Sequence, residues 1–276
     1  MKKIKIFSLF LAAMIISTFL YAQDSGKEQL IVPLSDPGKP YKINVGLTTG
    51  SISITGYDGK DIQIDAETTG NKNRSDEDKG NSGGMRRISS HSLSVTAEEK
   101  NNRINIGTDR PNLNIHLSIR IPKGASEIKV ETVNDGDIDV SNTGGEMEIT
   151  NVNGSIRLKN VSGSVVANTV NGDVVATFNT IDVKAAMAFS TLNGHVDITF
   201  PPSLKANMRL KSEHGGIYTD FEIAVDKTQP VVEKTKEGNM YRVNIKDWVY
   251  GKIGGGGPEI MMNTMNGNVY ARKAKQ

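Results

Sequence analysis

Residues 152–176 read VNGSIRLKNVSGSVVANTVNGDVVA, and this stretch decides the fold. Its two Asn-Gly corners, at Gly154 and Gly172, lie 18 residues apart, and a different corner, centred on Gly163, lies midway between them. Such pairs are turn signals because Asn and Gly tolerate the backbone conformations that tight turns require. The sequence therefore repeats about every 18 residues, and each repeat holds two short strands and two unlike corners.

The repeat extends beyond this stretch in both directions. Glycines recur every nine residues from Gly136 to Gly172. Further copies of the motif surround, in chain order, Gly50, Gly194, Gly215 and Gly267. In the clearest copies the corner is Asn153-Gly154, Asn171-Gly172, Asn193-Gly194 and Asn266-Gly267. We expect these residues to be structural, because Asn caps tight turns and stacked Asn amides can hydrogen-bond from one strand to the next.

Apolar residues stand at fixed distances from the corner glycines. Two positions after the glycine they are Ile52, Ile138, Ile156, Val174, Val196 and Val269. Four positions after it they are Ile54, Val140, Leu158, Ala176, Ile198 and Ala271. Two positions before it they are Val152, Val170, Leu192 and Met265. Because alternate side chains of a strand share one face, we predict that all three sets form interior columns.

Two all-β architectures fit a corner every nine residues. One is an antiparallel meander, for which Asn-Gly is the strongest short hairpin signal. The other is a single-domain β-solenoid, in which the chain coils and each turn of the coil pairs with the next. The alternation of two corner types favours the solenoid, because a meander gives no reason for like corners to recur 18 residues apart.

The N-terminus has the features of a secretory signal peptide. Three lysines within the first five residues precede an apolar run over residues 6–20, and Ala22 is suited to cleavage before Gln23. The formal charge of +2 includes those three lysines, so removal of residues 1–22 leaves −1. A near-neutral chain gives no electrostatic reason to expect nucleic acid as a partner. We predict an exported protein of the periplasm, outer surface or extracellular space, without a transmembrane helix after cleavage.

The remaining chain divides by composition. We assign an extended segment to residues 23–43, the β-solenoid domain to 44–272 and a short tail to 273–276. Residues 70–92 hold almost no large apolar side chain and are rich in Gly, Asn, Ser and charge. Such a segment cannot bury enough apolar surface to offset ordering entropy, so we predict a disordered insert there.

The sequence offers no catalytic, cofactor-binding or metal site. It has no cysteine, and its four histidines lack metal-ligand spacing. The acids of the repeat stand at outward positions with Ser, Arg or Val between them, whereas glycosidases need paired carboxylates across one bond. A candidate aromatic patch consists of Tyr241, Trp248 and Tyr250, which could stack on a sugar or cap one end of the solenoid.

The repeat units resemble the DUF4097 family, whose members are also called Toastrack or adhesin-like domains. The likeness rests on the Asn-Gly units, on GSISITGYDG at residues 50–59 and on IPKG at residues 121–124, and it spans residues 44–272. The resemblance implies a solenoid like a single-stranded right-handed β-helix, in exported envelope proteins without established catalytic residues.

Three functions remain open at this point. The first is a non-enzymatic envelope scaffold or adhesin-like binding module, with an envelope protein or a glycan as partner. The second is a carbohydrate-active β-helix enzyme, either a lyase or a glycosidase. The third is a structural or stress-linked envelope component.

Export can be tested directly. If the leader is cleaved, N-terminal sequencing of the protein expressed in a bacterial host should find a chain that starts near Gln23. Cytoplasmic material that retains Met1 would contradict the prediction.

Overall fold

The computed structural model describes residues 27–68, 93–226, 231–237, 240–246 and 248–275, and of residues 231–237 and 240–246 it describes the backbone alone. All regular structure in these ranges is β, which confirms the all-β prediction. The predicted signal peptide and the predicted insert at 70–92 lie outside the described residues. Within those residues, no helix is long and apolar enough to span a membrane.

The strands are β1 (Lys27–Pro33), β2 (Tyr41–Tyr57), β3 (Asp61–Thr68), β4 (Val95–Lys100), β5 (Arg103–Thr108), β6 (Ile115–Pro122), β7 (Ala125–Asn134), β8 (Ile138–Ser141), β9 (Gly144–Asn151), β10 (Ile156–Asn168), β11 (Val174–Ile181), β12 (Met187–Asn193), β13 (Val196–Phe200), β14 (Ala206–His214), β15 (Ile217–Thr219), β16 (Ala224–Val225), β17 (Val231–Glu237), β18 (Met240–Lys246), β19 (Val249–Ile253), β20 (Glu259–Asn266) and β21 (Val269–Lys273). Strands β17 and β18 form a separate antiparallel pair.

The other strands form two long ladders, which share β2 and β10 because each of these strands runs through both. Ladder A has the order β1-β3-β6-β2-β8-β10-β11-β13-β21-β15. Ladder B has the order β4-β5-β2-β7-β9-β10-β12-β20-β14-β19-β16. Pairing is parallel through the middle of both ladders and antiparallel only at their ends. An antiparallel meander over the repeats is therefore wrong.

A rung is a stretch of chain that gives one strand to each ladder. In spatial order the eight rungs are residues 103–122, 41–57, 125–141, 144–159, 162–181, 187–200, 259–273 and 206–219, here called rungs 1 to 8. Chain order and spatial order agree only from rung 3 to rung 6. The N-terminal rung is inserted between rungs 1 and 3, and the C-terminal rung between rungs 6 and 8.

The core lies between the two ladders. Both sets of residues that follow the corner glycine, at two and at four positions, are at most 2% exposed, as predicted. Phe178, Phe189 and Phe200 fill the space between rungs 5 and 6, with ring centroids 5.6–6.4 Å apart. Such aromatic contacts stabilise the core beyond simple area burial.

The third predicted column is wrong. Val170, Leu192 and Met265 face outward and are 37%, 42% and 41% exposed, and Val152 is half-buried on the same face. The interior position is instead one residue earlier, as at Thr191, which is 5% exposed. The last interior residue before the corner and the first one after it are an odd number of residues apart. In a continuous strand two such residues would face opposite sides, so the corner reverses the period-2 alternation.

Each interior residue at this corner donates a hydrogen bond to the corner glycine of the preceding rung. The donors, acceptors and distances are Thr132 to Gly50 O (3.0 Å), Asn151 to Gly136 O (2.9 Å), Thr169 to Gly154 O (2.8 Å), Thr191 to Gly172 O (2.8 Å), Thr264 to Gly194 O (2.8 Å) and Ser212 to Gly267 O (2.7 Å). A buried hydroxyl without a partner would cost free energy, so these bonds explain why polar residues are tolerated inside.

The role of the interior hydroxyl groups can be tested by making the same Thr→Val substitution at a buried and at an exposed position. Thr264→Val keeps the shape of a side chain that is 0% exposed but leaves the Gly194 carbonyl without this donor. We expect it to lower the free energy of unfolding by about 1–2 kcal/mol in urea titrations. Thr150→Val, on the outer face of ladder B, is the control and should change stability by less than about 0.5 kcal/mol. Equal effects at the two positions would contradict the buried role.

Candidate ligand-contact surface

The outer face of ladder A carries the side chains one, three and five positions after each corner glycine. In its middle, Arg157 Nη1 lies 2.7 Å from Asp137 Oδ2 and 3.8 Å from Asp139 Oδ1. Partial burial opposes ionisation of Asp137, but the hydrogen bonds from Arg157 and from the Ser155 N–H outweigh it and lower the pKa of Asp137. Burial raises the pKa of Asp139.

The surroundings of these two acids are those of a surface ion pair. Carboxyl groups with diverging pKa values can mark an acid and a base, but both side chains here are 40–51% exposed and share one arginine. Two surface cavities of about 550 Å³ and 540 Å³ lie elsewhere, the first lined in part by Gly145 and Val166. No group of three or more metal-ligating side chains occurs within the ranges that the structure describes.

The Asn residues of the corners form a continuous ladder on the outside of the corner. Each side-chain amide donates to the side-chain oxygen of the Asn one rung back, from Asn153 to Asn134 (3.3 Å), Asn171 to Asn153 (2.9 Å), Asn193 to Asn171 (2.8 Å) and Asn266 to Asn193 (2.7 Å). The amides hold one another, as stacked Asn side chains do in other parallel ladders.

An aromatic cluster covers the last three rungs of ladder A. The rings of Tyr218 and Tyr270 stack with centroids 5.1 Å apart and an interplanar angle of 17°. His195 meets Tyr270 edge-on at 6.1 Å, and the guanidinium of Arg272 lies 4.7 Å from the Tyr270 centroid. Tyr218 is 53% exposed and stands on β15, the last strand of ladder A. Part of an aromatic surface is therefore open to solvent at this end.

Hydrogen bonds hold this cluster in place. Arg272 donates two hydrogen bonds to the carboxylate of Asp197, at 2.6 Å and 2.8 Å. The side-chain amide of Asn268 donates to the Tyr270 hydroxyl at 2.8 Å, and its backbone N–H donates to His195 Nδ1 at 2.8 Å. A neutral His195 ring therefore carries its proton on Nε2. Planar polar groups held by hydrogen bonds therefore lie beside the exposed Tyr218 ring.

The three aromatic residues singled out in the sequence lie elsewhere. Trp248 is beside the end of ladder B, where Arg209 and Lys211 approach its ring at 4.3 Å and 5.8 Å. Tyr250 lies opposite Arg209 in the β14–β19 pair. Tyr241 is on β18, where side chains are not described.

Sequence reasoning missed the Tyr218–Tyr270 pair, although a usable signal was present. Both residues stand three positions after a corner glycine, Gly215 and Gly267, and so belong to one outward column. What the repeat does not reveal is that these two rungs are neighbours, because rung 7 comes from the C-terminus.

The repeats match a known family model. Residues 143–269 match the model described as Toastrack DUF4097, which is the family that the repeats resemble. No curated protein matches the chain.

Two solved structures are similar at low identity. A "putative cell adhesion protein" from Clostridium sporogenes is 11% identical, with a TM-score of 0.45, over 90% of this chain and 99% of that one. A "putative adhesin" from Bacteroides fragilis is 9% identical, with a TM-score of 0.30, over 91% of this chain and 98% of that one.

The Asp137–Arg157 pair predicts a pH dependence of stability. Because folding lowers the pKa of Asp137, its contribution is full above the ordinary value of 3.8 and is lost as pH falls through the lower folded value. In urea unfolding between pH 2.5 and 6 (roughly, below and above the ordinary carboxyl range), Asp137→Asn should flatten the fall in unfolding free energy on the acid side. Arg157→Gln should flatten it similarly, and an unchanged slope in both variants would contradict the assignment.

Proposed function

We propose that this chain is a non-enzymatic, exported cell-envelope protein that acts as an adhesin-like binding module. The observation that carries the proposal is the stacked Tyr218–Tyr270 pair, in which Tyr218 is 53% exposed and Arg272, bonded to Asp197, lies against the Tyr270 ring. The proposal is supported by the absence of metal-ligating clusters from the described residues and by the placement of the Asp137 and Asp139 carboxyl groups on an open face.

The scaffold that we propose is a β-solenoid resembling a single-stranded right-handed β-helix. The parallel pairings of Ile138 with Ile156 and of Ile156 with Val174 join residues one repeat apart, which favours a coil. Such a scaffold suits binding because outward columns keep a fixed spacing of about 4.8 Å from rung to rung. A ligand then meets side chains whose positions are set before it arrives, which lowers the entropy cost of binding.

The ligand class that we propose for this surface is a glycan. A tyrosine face offers apolar, polarisable area to the C–H face of a sugar ring, and the phenol keeps a polar edge toward water. Two planar charged groups lie near Tyr270. Asp197 is paired with Tyr270 on the neighbouring rung, and Arg272 is two positions further along the strand of Tyr270. Both groups can form hydrogen bonds with hydroxyl groups of a ligand. An envelope protein as ligand is the alternative outcome of the test.

Glycan binding is tested with residues 23–276 against a panel of bacterial and host-surface glycans, followed by calorimetry of the hits. Loss of the ring in Tyr218→Ala should weaken binding by about two- to tenfold, since an aromatic contact contributes roughly 0.5–1.5 kcal/mol. Tyr218→Phe should retain most of the affinity.

The matched control is Ile31→Ala, which removes a side chain that is 56% exposed at the opposite end of ladder A. Binding should be unchanged in this variant. Equal affinity of Tyr218→Ala and the parent chain would contradict the site, and new reducing ends or unsaturated sugars after incubation would contradict the non-enzymatic proposal. If the chain retained an envelope protein and bound no glycan, the partner would be a protein.

A further inference from the structure

Four Asn-Gly steps occur in the sequence, and each of them lies at a corner of the repeat. An Asn side chain that precedes Gly can react with its own main chain. In this reaction the glycine nitrogen attacks the side-chain carbonyl carbon and closes a succinimide ring. Glycine favours ring closure because it has no Cβ atom to hinder the approach and few conformational restrictions. The sequence therefore offers four candidate sites for one modification, and their surroundings in the structure differ.

Three of the four steps are held by hydrogen bonds to the following rung. The glycine donors, their acceptors and the distances are Gly154 N–H to Asn171 O (2.8 Å), Gly172 N–H to Asn193 O (2.9 Å) and Gly194 N–H to Asn266 O (3.0 Å). The Asn side chain of each of these steps also donates one rung back and accepts from one rung ahead. Ring closure needs a free glycine nitrogen and a side chain that can rotate onto it. At these corners it would therefore break hydrogen bonds of both groups.

The Asn266-Gly267 step is held on one side only. Its side-chain amide donates to Asn193 at 2.7 Å, but the residue paired with Asn266 in rung 8 is His214, so the amide ladder ends here. Among the described residues, no group donates a hydrogen bond to the side-chain oxygen of Asn266, and none accepts one from the N–H of Gly267. The side chain of Asn266 is exposed. Both reacting groups are therefore less restrained at this corner than at the other three.

We propose that Asn266 is a site of spontaneous deamidation, which its position at the end of the amide ladder distinguishes from the three inner corners. The Gly267 nitrogen loses its proton and bonds to Cγ of Asn266. The Cγ–Nδ2 bond breaks, and the nitrogen takes up a proton and leaves as ammonia. Water then adds to one of the two carbonyl carbons of the succinimide ring and opens it. The product at position 266 is aspartate or isoaspartate, and no oxidant or reductant takes part.

Either product shortens the amide ladder by one rung. A carboxylate has no N–H group to donate, so Asn193 Oδ1 loses its donor and lies next to a negative charge. Isoaspartate also adds a methylene group to the main chain where two rungs are closest, since a Cβ atom on Gly267 would lie 1.9 Å from the Gly194 oxygen. We therefore expect rung 7 to be held less tightly after the reaction. This inference does not depend on the ligand proposed above.

The reaction is measured in residues 23–276 kept at mildly alkaline pH, by peptide mass spectrometry at the four Asn residues. Asn266 should deamidate about tenfold faster than the other three, since the inner corners must break additional hydrogen bonds to react. In the chain unfolded in urea the four rates should lie close together, because every one of these residues precedes Gly. Equal rates in the folded chain, or a faster reaction at an inner corner, would overturn the proposal.

Two substitutions of one residue test the effect of the ladder end. His214→Asn places an amide beside the Asn266 side chain and should extend the ladder by one rung, which should slow deamidation several-fold. His214→Ala removes the ring without supplying a donor and should leave the rate unchanged. Circular dichroism establishes that both variants are folded. Equal rates in the two folded variants would contradict the role of the ladder.

The effect on stability is tested with aged protein. The added negative charge allows the reacted chain to be separated from the unreacted chain by anion exchange. The reacted chain should unfold at a lower urea concentration. Asn266→Asp, which has the new charge but a normal main chain, should show part of this loss. A reacted chain as stable as the parent would contradict the structural role of this amide.

Discussion

The structure depends on how closely neighbouring rungs approach at the Asn-Gly corner. A Cβ atom placed on Gly172 would lie 2.3 Å from the carbonyl oxygen of Gly154, and one on Gly154 would lie 2.0 Å from that of Gly136. Real side chains never approach backbone oxygen so closely, and the contacted oxygens are held in place because they accept hydrogen bonds from Thr169 and Asn151. Glycine is therefore required wherever rungs meet at this corner. The same carbonyl oxygens accept the interior Thr hydroxyls, so the close approach also fixes the polar column inside.

This constraint explains why much of the fold follows from the sequence. Each glycine marks a fixed point on a rung, and the strand that leaves it alternates strictly, so Val174 and Ala176 could be placed inside by counting. The same counting gave the wrong face for the residues before the glycine, because Val170 and Leu192 face outward. The corner reverses the alternation, and a column of apolar residues looks the same in sequence whether it faces the core or solvent. The recurring position of Thr169 and Thr191, three residues before the corner glycine, was the better guide to the interior, because a buried hydroxyl there has a defined acceptor.

The order of the rungs could not be obtained from the repeat. Every rung has the same interior, so the chemistry that joins rung 3 to rung 4 would also join other pairs. Val269 lies 73 residues after Val196 in the chain and yet pairs with it directly. Loop-closure entropy grows only slowly with length, so such a distant partner costs little more than a near one. The aromatic pair therefore escaped prediction even though the column that contains Tyr218 and Tyr270 could be read from the sequence.

The proposed ligand-contact surface needs the C-terminal rung in its place. Rung 7 contributes Tyr270 and Arg272 to the outside of ladder A, and Met261 and Met265 to the outside of ladder B. Without it, Tyr218 has no ring to stack on, Asp197 loses its arginine, and Arg209 no longer adjoins an apolar column. Rungs 3 to 6 form from consecutive stretches of chain, whereas rung 7 must enter between two stretches that precede it. The ligand-contact surface therefore comes from a part of the fold whose partners are distant in the chain, and it is complete only when rung 7 lies between rungs 6 and 8.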